Sequence, residues 1–305
     1  MTTLLALGFG YAAQHYAALY GARFDRMIGT TRSDRNAAES AARLFDGRRI
    51  EMIVYQGGSA IAGSGPDDAA LAAAIADASA LLVSIAPDSG GDPVLARWHD
   101  DIAAAPRLAM IVYLSTVAVY GNHDGGWIDE TTPLTPMLTR AVDRITAERS
   151  WQALGAARGV PVAVIRIAGI YGPGANALVA VQAGRARRIV KPGQVFNRIH
   201  VADLAQIIDK AIELRADGVF NASDDYPTPP GDPIVYAAEL LGAAPPPEVP
   251  YEEAKATMSP FAASFYGESK RVRNARIKTV LGVTLRYPTY REGLRALAED
   301  GEGKG

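Results

Sequence analysis

The sequence predicts an α/β protein with a doubly wound parallel sheet and a smaller, mixed α/β region toward the C-terminus. The chain opens with a short apolar run that ends at Gly8-Phe9-Gly10 and passes directly into an alanine-rich stretch. Strand-like and helix-like segments then alternate as far as residue 168, which is the pattern of a parallel sheet with helices on both faces. Beyond residue 173 the elements become short and mixed.

The individual elements follow from apolar runs and helix-start signals. Continuous apolar runs such as 80–87 and 108–116 are typical of strands that are buried on both faces. Asp92-Pro93 predicts a helix start, because proline fits the first helical turn. A glycine-rich loop is expected over 57–66 and a stiff proline linker over 245–250. The other predicted strands are 3–7, 24–30, 50–55, 162–168, 194–200 and 218–222, and the other helices are 11–21, 36–45, a helix from 67, 138–157, 201–214 and 233–241.

The predicted domain organisation has two unequal parts. Residues 1–172 are expected to form a dinucleotide-binding domain that includes the strand at 162–168. Residues 173–305 are expected to form mainly a substrate-side region, with 194–222 returning to the core. Such a region would cover the carboxyl ends of the strands, where ligands bind in open α/β sheets.

Composition argues against several classes of function. The 305 residues include 31 lysines and arginines against 33 aspartates and glutamates, so no overall field attracts nucleic acid or an anionic membrane. No apolar run reaches the roughly 20 residues that a bilayer span requires. The chain has no cysteine, and its four histidines are far apart without metal-ligand spacing. We therefore expect a cytoplasmic protein with a small-molecule substrate and no metal.

The opening turn predicts a dinucleotide site. Gly8 would allow a tight turn, and Gly10 would let the backbone approach a pyrophosphate. Ala13 takes the third small position of the motif, where helix and strand pack closely. The unpaired N–H groups at the helix start, including those of Tyr11 and Ala12, would form an anion site with the helix dipole.

The end of the second strand predicts the kind of dinucleotide. Arg32 follows the strand between Thr31 and Ser33, at the point where this fold meets the adenine ribose. A basic residue there favours the 2′-phosphate of NADP, whereas an NAD protein usually has an acid. Asp34 comes late for that acid, so we expect NADP rather than NAD. The alternative is that Arg32 is a solvated loop residue.

Further motifs recur in a fixed order along nearly the whole chain. Together they resemble the extended short-chain dehydrogenase/reductase superfamily, which includes nucleotide-sugar epimerases and dehydratases. The resemblance implies an NAD(P)-binding Rossmann fold with oxidoreductase or epimerase activity. The segments that carry it are Leu114–Gly121, Asp129-Glu130 with Pro133, Arg166–Pro173, His200–Leu204, Val219–Asn221 and Tyr287–Gly293.

The resemblance implies roles for individual residues. Thr116 matches the catalytic Ser/Thr that holds the substrate oxygen. Ser115 and the pair Ala86-Pro87 match positions that line the cofactor ribose. The segment along the nicotinamide is matched by Ala168, Gly169, Ile170 and Tyr171.

The sequence departs from the family at its Tyr-x-x-x-Lys helix. Glu148 fits the glutamate that follows this motif, so Arg144 stands at the lysine and Arg140 at the tyrosine. Arg144 can keep the positive charge and bond a ribose hydroxyl, and we predict a cofactor and catalytic role for it. Arg140 cannot replace tyrosine as an acid, because guanidinium stays protonated. Members of the family often pair through this helix, so a homodimer is also expected.

The proton donor is therefore left open. Tyr120 and Tyr171 are candidates, although each is also explained as a structural aromatic residue. His200 is a candidate acid or substrate contact, or else a structural histidine. Asn122 and Arg271 are further candidate substrate contacts. Two interpretations follow: an NADP-preferring oxidoreductase or epimerase-like enzyme, and a catalytically inactive NADP-binding sensor or regulatory protein.

Overall fold

The structure is a computed structural model that describes residues 1–56 and 66–303. The predicted glycine-rich loop lies outside the described residues apart from Pro66, where a helix begins. The strands are β1 (Thr3–Leu7), β2 (Arg26–Thr31), β3 (Glu51–Val54), β4 (Ala80–Val83), β5 (Met110–Thr116), β6 (Trp127–Ile128), β7 (Val162–Ile167), β8 (Gly169–Tyr171), β9 (Arg188–Val190), β10 (Arg198–His200), β11 (Gly218–Ala222), β12 (Glu248–Pro250) and β13 (Arg271–Val272).

The helices lie mainly between these strands. They are α1 (Tyr11–Tyr20), α2 (Asp34–Ala41), α3 (Pro66–Asp77), α4 (Pro93–Ala104), α5 (Thr139–Arg158), α6 (Ala177–Gln182), α7 (Val201–Glu213), α8 (Asp232–Leu240), α9 (Tyr251–Lys255), α10 (Pro260–Ser264), α11 (Ala275–Thr279) and α12 (Tyr290–Glu299). In the part of the chain that the structure describes, no helix is long and apolar enough to cross a membrane.

A seven-stranded sheet in the order β11-β7-β5-β4-β1-β2-β3 forms the centre of the fold. Every pairing within it is parallel. Three small parallel pairs, β10-β8, β12-β9 and β13-β6, lie outside it. The predicted doubly wound α/β fold is confirmed.

The two faces of the sheet have separate apolar cores, because side chains alternate along a strand. On one face Leu4 and Ala6 belong to a cluster that includes Tyr16 of α1 and Leu204 of α7. On the other face the alternate β1 positions Leu5 and Leu7 pack with α3, α4 and α5. Long apolar runs in the sequence follow from this burial on both faces.

The predicted elements differ from the structure mainly at their ends. The strand expected over 80–87 stops at Val83, because the N–H groups of Ser84 and Ile85 both turn to the carbonyl oxygen of Leu7. The prediction of a proline linker over 245–250 was wrong in part, because Glu248–Pro250 forms β12 and pairs with β9. Proline is compatible with such a short edge strand.

We predict that Gly155→Ala destabilises the protein. A Cβ at Gly155 would lie 2.2 Å from Cγ2 of Val162 and 2.7 Å from the carbonyl oxygen of Val160. Helix propensity alone would favour alanine by about 1 kcal/mol, but overpacking of this contact should lower the free energy of unfolding by about 1–2 kcal/mol net. Denaturant unfolding measures it, with the exposed Ala156→Gly as the propensity control. A more stable Gly155→Ala protein would contradict the packing.

Candidate functional site at the carboxyl edge of the sheet

The candidate site lies where the parallel strands end. Because all pairings are parallel, the carboxyl ends of β1, β2, β4, β5 and β7 share one edge. The order in which strands are added to the sheet reverses beside β1: β2 and β3 extend the sheet on one side of it, and β4 and β5 on the other. Ligands of open α/β sheets bind at such a reversal.

The turn from β1 to α1 leaves room for a phosphate. Gly8 has φ +92°, and a Cβ there would lie 2.6 Å from the hydroxyl oxygen of Ser84. Thr30 holds the turn with two acceptors. Its side-chain hydroxyl accepts from the N–H of Gly8 at 2.8 Å, and its carbonyl oxygen accepts from the N–H of Phe9 at 2.7 Å. At Gly10, which precedes α1, a Cβ would meet nothing within 4 Å, and no side chain caps the helix. The open space and unpaired N–H groups fit a dinucleotide pyrophosphate.

The predicted ribose residues lie along the same edge. Arg32 is exposed directly after β2. Ser33 caps α2 by accepting from the N–H of Asn36 at 3.3 Å, and its hydroxyl proton stays available. Ala86 and Pro87 follow β4. The arrangement is compatible with the predicted roles of these residues, which stay predictions.

A buried network ties α5 to β5 and β7. The Arg166 guanidinium pairs with the Glu148 carboxylate at 2.7 Å, with side chains 6% and 3% exposed. Arg166 also donates to the Tyr120 hydroxyl at 2.9 Å, which donates to the Asn221 side-chain oxygen at 2.8 Å. The Ser115 hydroxyl donates to Glu148. The network occupies the hydroxyls of both Ser115 and Tyr120.

This network changes the expectation for Tyr120 and Ser115. Tyr120 is 0% exposed, and burial raises the pKa of its hydroxyl. It is not among the residues that line the adjoining cleft, so the geometry gives no support to Tyr120 as the catalytic acid. Ser115 keeps its place at the end of β5 but has no hydroxyl proton left for a ribose.

Arg144 lies on α5 against the end of β5. Its guanidinium donates to the carbonyl oxygen of Leu114 at 2.8 Å and lies 5.8 Å from the ring centre of Tyr113. The remaining N–H groups can reach outward from this anchor. This position is compatible with the predicted contact between Arg144 and the ribose, which stays a prediction.

A cleft of about 330 Å³ opens beside these strand ends. Its walls come from the end of β5, the whole segment 168–171, the start of α5, residues 195–198 and residues in 264–270. Thr116 lines it and accepts from the N–H of Ala118 at 3.2 Å, so the hydroxyl proton of Thr116 is available to a ligand. The structure thus brings Thr116 together with Ala168, Gly169, Ile170 and Tyr171.

Arg140 lies at the mouth of this cleft. It is exposed and donates to the hydroxyl of Ser264 at 2.7 Å. Its guanidinium lies 4.8 Å from the ring centre of Phe261 and 5.6 Å from that of Phe265. These contacts connect α5 to α10, and they keep a permanent positive charge at the entrance.

Glu268 and Lys270 form a buried ion pair in the cleft wall. Their charged atoms are 2.6 Å apart, and the Lys270 and Glu268 side chains are 6% and 9% exposed. Lys270 also donates to the carbonyl oxygen of Gly121 at 2.7 Å. Burial lowers the pKa of Lys270. The pair holds segment 264–270 against the turn that follows Tyr120.

Arg198 brings another positive charge to the inner wall. It donates to the carbonyl oxygen of Phe196 at 3.2 Å, and burial lowers its pKa. Asp224 is bound through its own backbone N–H to the carbonyl oxygen of Arg198 at 2.6 Å. Burial raises the pKa of the Asp224 carboxyl to about 7. No ion pair within 4.0 Å joins this carboxyl to Arg198 among the described residues.

Tyr171 and His200 are used structurally. The Tyr171 hydroxyl donates to the carbonyl oxygen of Thr289 at 3.4 Å, and burial raises its pKa. His200 caps α7 by accepting from the N–H of Ala202 at 3.1 Å and packs 4.1 Å from the ring centre of Tyr287. Burial lowers the pKa of His200 to about 4. Tyr171 lines the cleft, whereas His200 does not.

Asn122 and Arg271 lie outside the cleft. The Asn122 side-chain oxygen accepts from the N–H of Ser269 at 2.8 Å, and Arg271 donates to the carbonyl oxygen of Gly125. Arg271 lines a separate cavity instead. Both residues hold the loop after Tyr120 against the C-terminal segment, so these two predicted substrate contacts are not brought to Thr116.

Sequence reasoning missed Arg198, Glu268 and Lys270 as cleft residues. Arg198 lies in the predicted strand 194–200, two residues before the motif that begins at His200, and nothing local marks it as a cleft residue. Glu268 and Lys270 lie more than 140 residues beyond Thr116 and reach it only through tertiary packing.

We predict a pH-dependent stability difference for Asp224→Asn. The folded pKa of about 7 is raised above the ordinary 3.8, so this carboxyl stabilises the fold fully below pH 4, and that contribution is lost as pH rises toward 7. The free energy of unfolding of the variant, relative to that of the native protein, should therefore rise by up to roughly 4 kcal/mol between pH 4 and 8. Unfolding temperatures across this range measure it, with the exposed Asp101→Asn as control. Parallel pH profiles for Asp224→Asn and native protein would contradict the burial.

Comparison with known proteins agrees with this fold. The chain is 26% identical over 281 residues to a protein named 3-diazoavenalumate denitrifying reductase from a Streptomyces species, with 88% of this chain and 86% of that protein covered. A solved structure of a protein of unknown function from Silicibacter pomeroyi is 45% identical, with TM-score 0.85 and coverage of 99% and 100%. The human epimerase family protein SDR39U1, solved with NADPH, has 18% identity and TM-score 0.69, with coverage of 98% and 100%.

A family model settles the classification. The model described as the NAD dependent epimerase/dehydratase family matches residues 30–223, which run from the end of β2 through β11 and include most of the residues that line the cleft. This is more than half of the 305 residues, and the parallel sheet agrees with the match. The chain therefore belongs to the NAD-dependent epimerase/dehydratase family, whose members use a nicotinamide dinucleotide.

Proposed function

We propose that the protein is an NADPH-dependent reductase that acts on a small organic substrate in the cleft. The main support is that Thr116, with its free hydroxyl proton, and the segment 168–171 line one cleft at the carboxyl edge of the sheet, the edge at which the open turn at Gly10 follows β1. The curated relative named as a reductase supports reduction as the direction of the reaction. The human family protein solved with NADPH supports this form of the cofactor.

Several residues would hold the dinucleotide. The N–H groups that follow Gly10, at Tyr11 and Ala12, would bind the pyrophosphate. Arg32 would bind the 2′-phosphate, and Arg144 a ribose hydroxyl. When bound in its reduced form, the nicotinamide supplies a hydride. The protein's task is then to hold the acceptor group and to stabilise the charge that develops on it.

Thr116 and Arg140 would share that task. Thr116 would donate its hydroxyl proton in a hydrogen bond to the acceptor group of the substrate. Arg140 stands where the resemblance puts the family's tyrosine, and its permanent charge would stabilise negative charge that develops on the substrate. It cannot give up a proton at neutral pH, so the proton that completes the reduction would come from water at the open mouth of the cleft.

The second candidate is a dinucleotide-binding sensor without turnover. It is favoured by the buried position of Tyr120 and by the hydrogen bond of the Tyr171 hydroxyl to Thr289, because neither tyrosine then presents a free acid to a substrate. A sensor has little use for the cleft around Thr116, so we place the reductase first.

We predict that the protein binds NADPH more tightly than NADH. A charge-assisted contact between Arg32 and the 2′-phosphate should contribute roughly 1.5–3 kcal/mol. Calorimetric titration of both cofactors against native protein and Arg32→Ala measures this, with Arg35→Ala on α2 as a matched exposed control. Equal affinities in the native protein, or an unselective loss in Arg32→Ala, would contradict the assignment.

We predict that Thr116→Val reduces turnover and leaves NADPH affinity intact. Loss of a hydrogen bond made to the reacting group should lower kcat by about 10- to 100-fold, because a hydrogen bond to a group that becomes charged contributes about 1.5–3 kcal/mol. NADPH oxidation over a panel of carbonyl, conjugated and diazo compounds measures turnover. Gly10→Val, which fills the open turn, is the control that should lose cofactor binding. NADPH binding without oxidation of any compound would favour the sensor instead.

A further inference from the structure

The charged side chains of the cleft do not balance. Its lining contains Arg140, Arg198, Lys270 and Glu268. Lys270 and Glu268 neutralise each other at 2.6 Å. Two guanidinium groups remain, and neither has a carboxylate within 4.0 Å among the described residues. The empty part of the cleft is therefore positive.

Arg198 is the more informative of the two guanidinium groups. Unlike Arg140, it is half-buried, and it stands at the start of β10 in the inner wall. Its one hydrogen bond among the described side-chain contacts is to the carbonyl oxygen of Phe196. A guanidinium has five N–H donors, and removing it from water is costly unless an anion or several acceptors meet it.

The nearest carboxylates are used elsewhere. Asp224 and Asp232 attract Arg198 from beyond ion-pair distance. Asp224 accepts from the N–H of Tyr226 at 3.1 Å, and Asp232 accepts from the hydroxyl of Thr228 at 2.5 Å. Burial also keeps part of the Asp224 carboxyl protonated near neutral pH, because its pKa is about 7. These groups offset the charge of Arg198 only in part.

The remaining walls are mainly apolar, with large side chains from Leu138, Ile170, Val195, Phe196 and Phe265. The polar side chains of Asn197 and Ser264 also line the cleft, but both are engaged in hydrogen bonds within the protein. Walls of this kind favour an organic body without charge over a sugar or a free phosphate, since they offer few hydrogen-bond partners. A planar guanidinium matches a carboxylate through two parallel N–H···O bonds.

We propose that the cleft takes an apolar carboxylic acid and that Arg198 holds its carboxylate. This substrate class rests on the proposed reductase function, in which Thr116 and Arg140 act on a different part of the same molecule. Arg198 is then a specificity residue: it fixes the acid end of the substrate at the inner wall and leaves the reducible group beside Thr116.

The test compares acids with their neutral amides. Benzoate, cinnamate and 3-phenylpropanoate, each with its carboxamide, are titrated into the full-length protein with saturating NADP⁺. At least one acid should bind about 10-fold or more tightly than its amide, which is the range of a charge-assisted contact. Arg198→Gln should remove that preference, and Arg198→Lys should restore part of it. Arg188→Gln is the matched control, because Arg188 is 31% exposed, pairs with Glu248 and lies outside the cleft.

Three outcomes would overturn the proposal. The first is that no acid binds more tightly than its amide, and the second is that Arg198→Gln keeps the native preference. The third is that UDP-glucose, titrated in parallel, binds more tightly than every acid, which would identify a nucleotide-sugar site. Thermal unfolding of each variant identifies a misfolded protein, and in that case the comparison uses Arg198→Lys.

Failure of this proposal is distinguishable from failure of the reductase function. Separate samples of each protein, free of NADP⁺, are titrated with NADPH. NADPH binding and turnover without acid preference would reject only the substrate class. Acid preference without NADPH binding would reject the reductase and leave the carboxylate site in place. For any compound that is turned over, Arg198→Gln should raise KM by about 10- to 100-fold with a smaller change in kcat.

Discussion

The arrangement of the site depends on the buried ion pair between Arg166 and Glu148. Arg166 belongs to β7, the second strand from one edge of the sheet, and Glu148 belongs to α5 on one face of the sheet. Their contact at 2.7 Å sets the position of α5 relative to the strand ends. Loss of one partner would leave a buried charge alone, which typically costs 3–5 kcal/mol. The pair therefore acts as a strict constraint on the geometry of the neighbouring residues.

That constraint decides which residues face the cleft. Arg144 lies about one turn and Arg140 about two turns before Glu148 on α5, so the ion pair places both of them at the carboxyl edge. On the strand side, the same pair occupies the hydroxyls of Ser115 and Tyr120. Thr116, the next residue along β5, accepts from the N–H of Ala118 and donates its hydroxyl proton to no acceptor among the described residues. Ser115 and Tyr120 therefore support the site, whereas Thr116 is free to bind a ligand.

The carboxyl edge of the sheet combines a turn suited to a dinucleotide with a cleft of unusual charge distribution. Gly10 and the uncapped start of α1 suit an anion without any side chain. The substrate side has guanidinium groups at both its mouth and its inner wall, with Arg140 held by Ser264 and Arg198 by Phe196. In the proposed reductase, positive charge takes over the part of catalysis that an acid would otherwise perform. Such a site suits an acceptor whose reduction creates negative charge.

The sequence by itself determined the fold class and the dinucleotide turn, because both depend on local patterns. The apolar run 3–7, the glycines at 8 and 10 and the regular alternation of strands and helices depend on neighbours in the chain, and the parallel sheet was predicted from them correctly. Element ends were less accurate, as at Val83, where hydrogen bonds to Leu7 end the strand.

Only the tertiary structure decided the substrate side. Tyr120 is a plausible acid in the sequence, yet burial beside Arg166 commits its hydroxyl to a structural network. Arg198 and Lys270 carry no local signal, because their role comes from segments that meet across more than 70 residues of chain. Which polar groups are paired, and which remain free to meet a ligand, is a property of packing in three dimensions. Local sequence patterns do not show this pairing, because the partners are far apart in the chain.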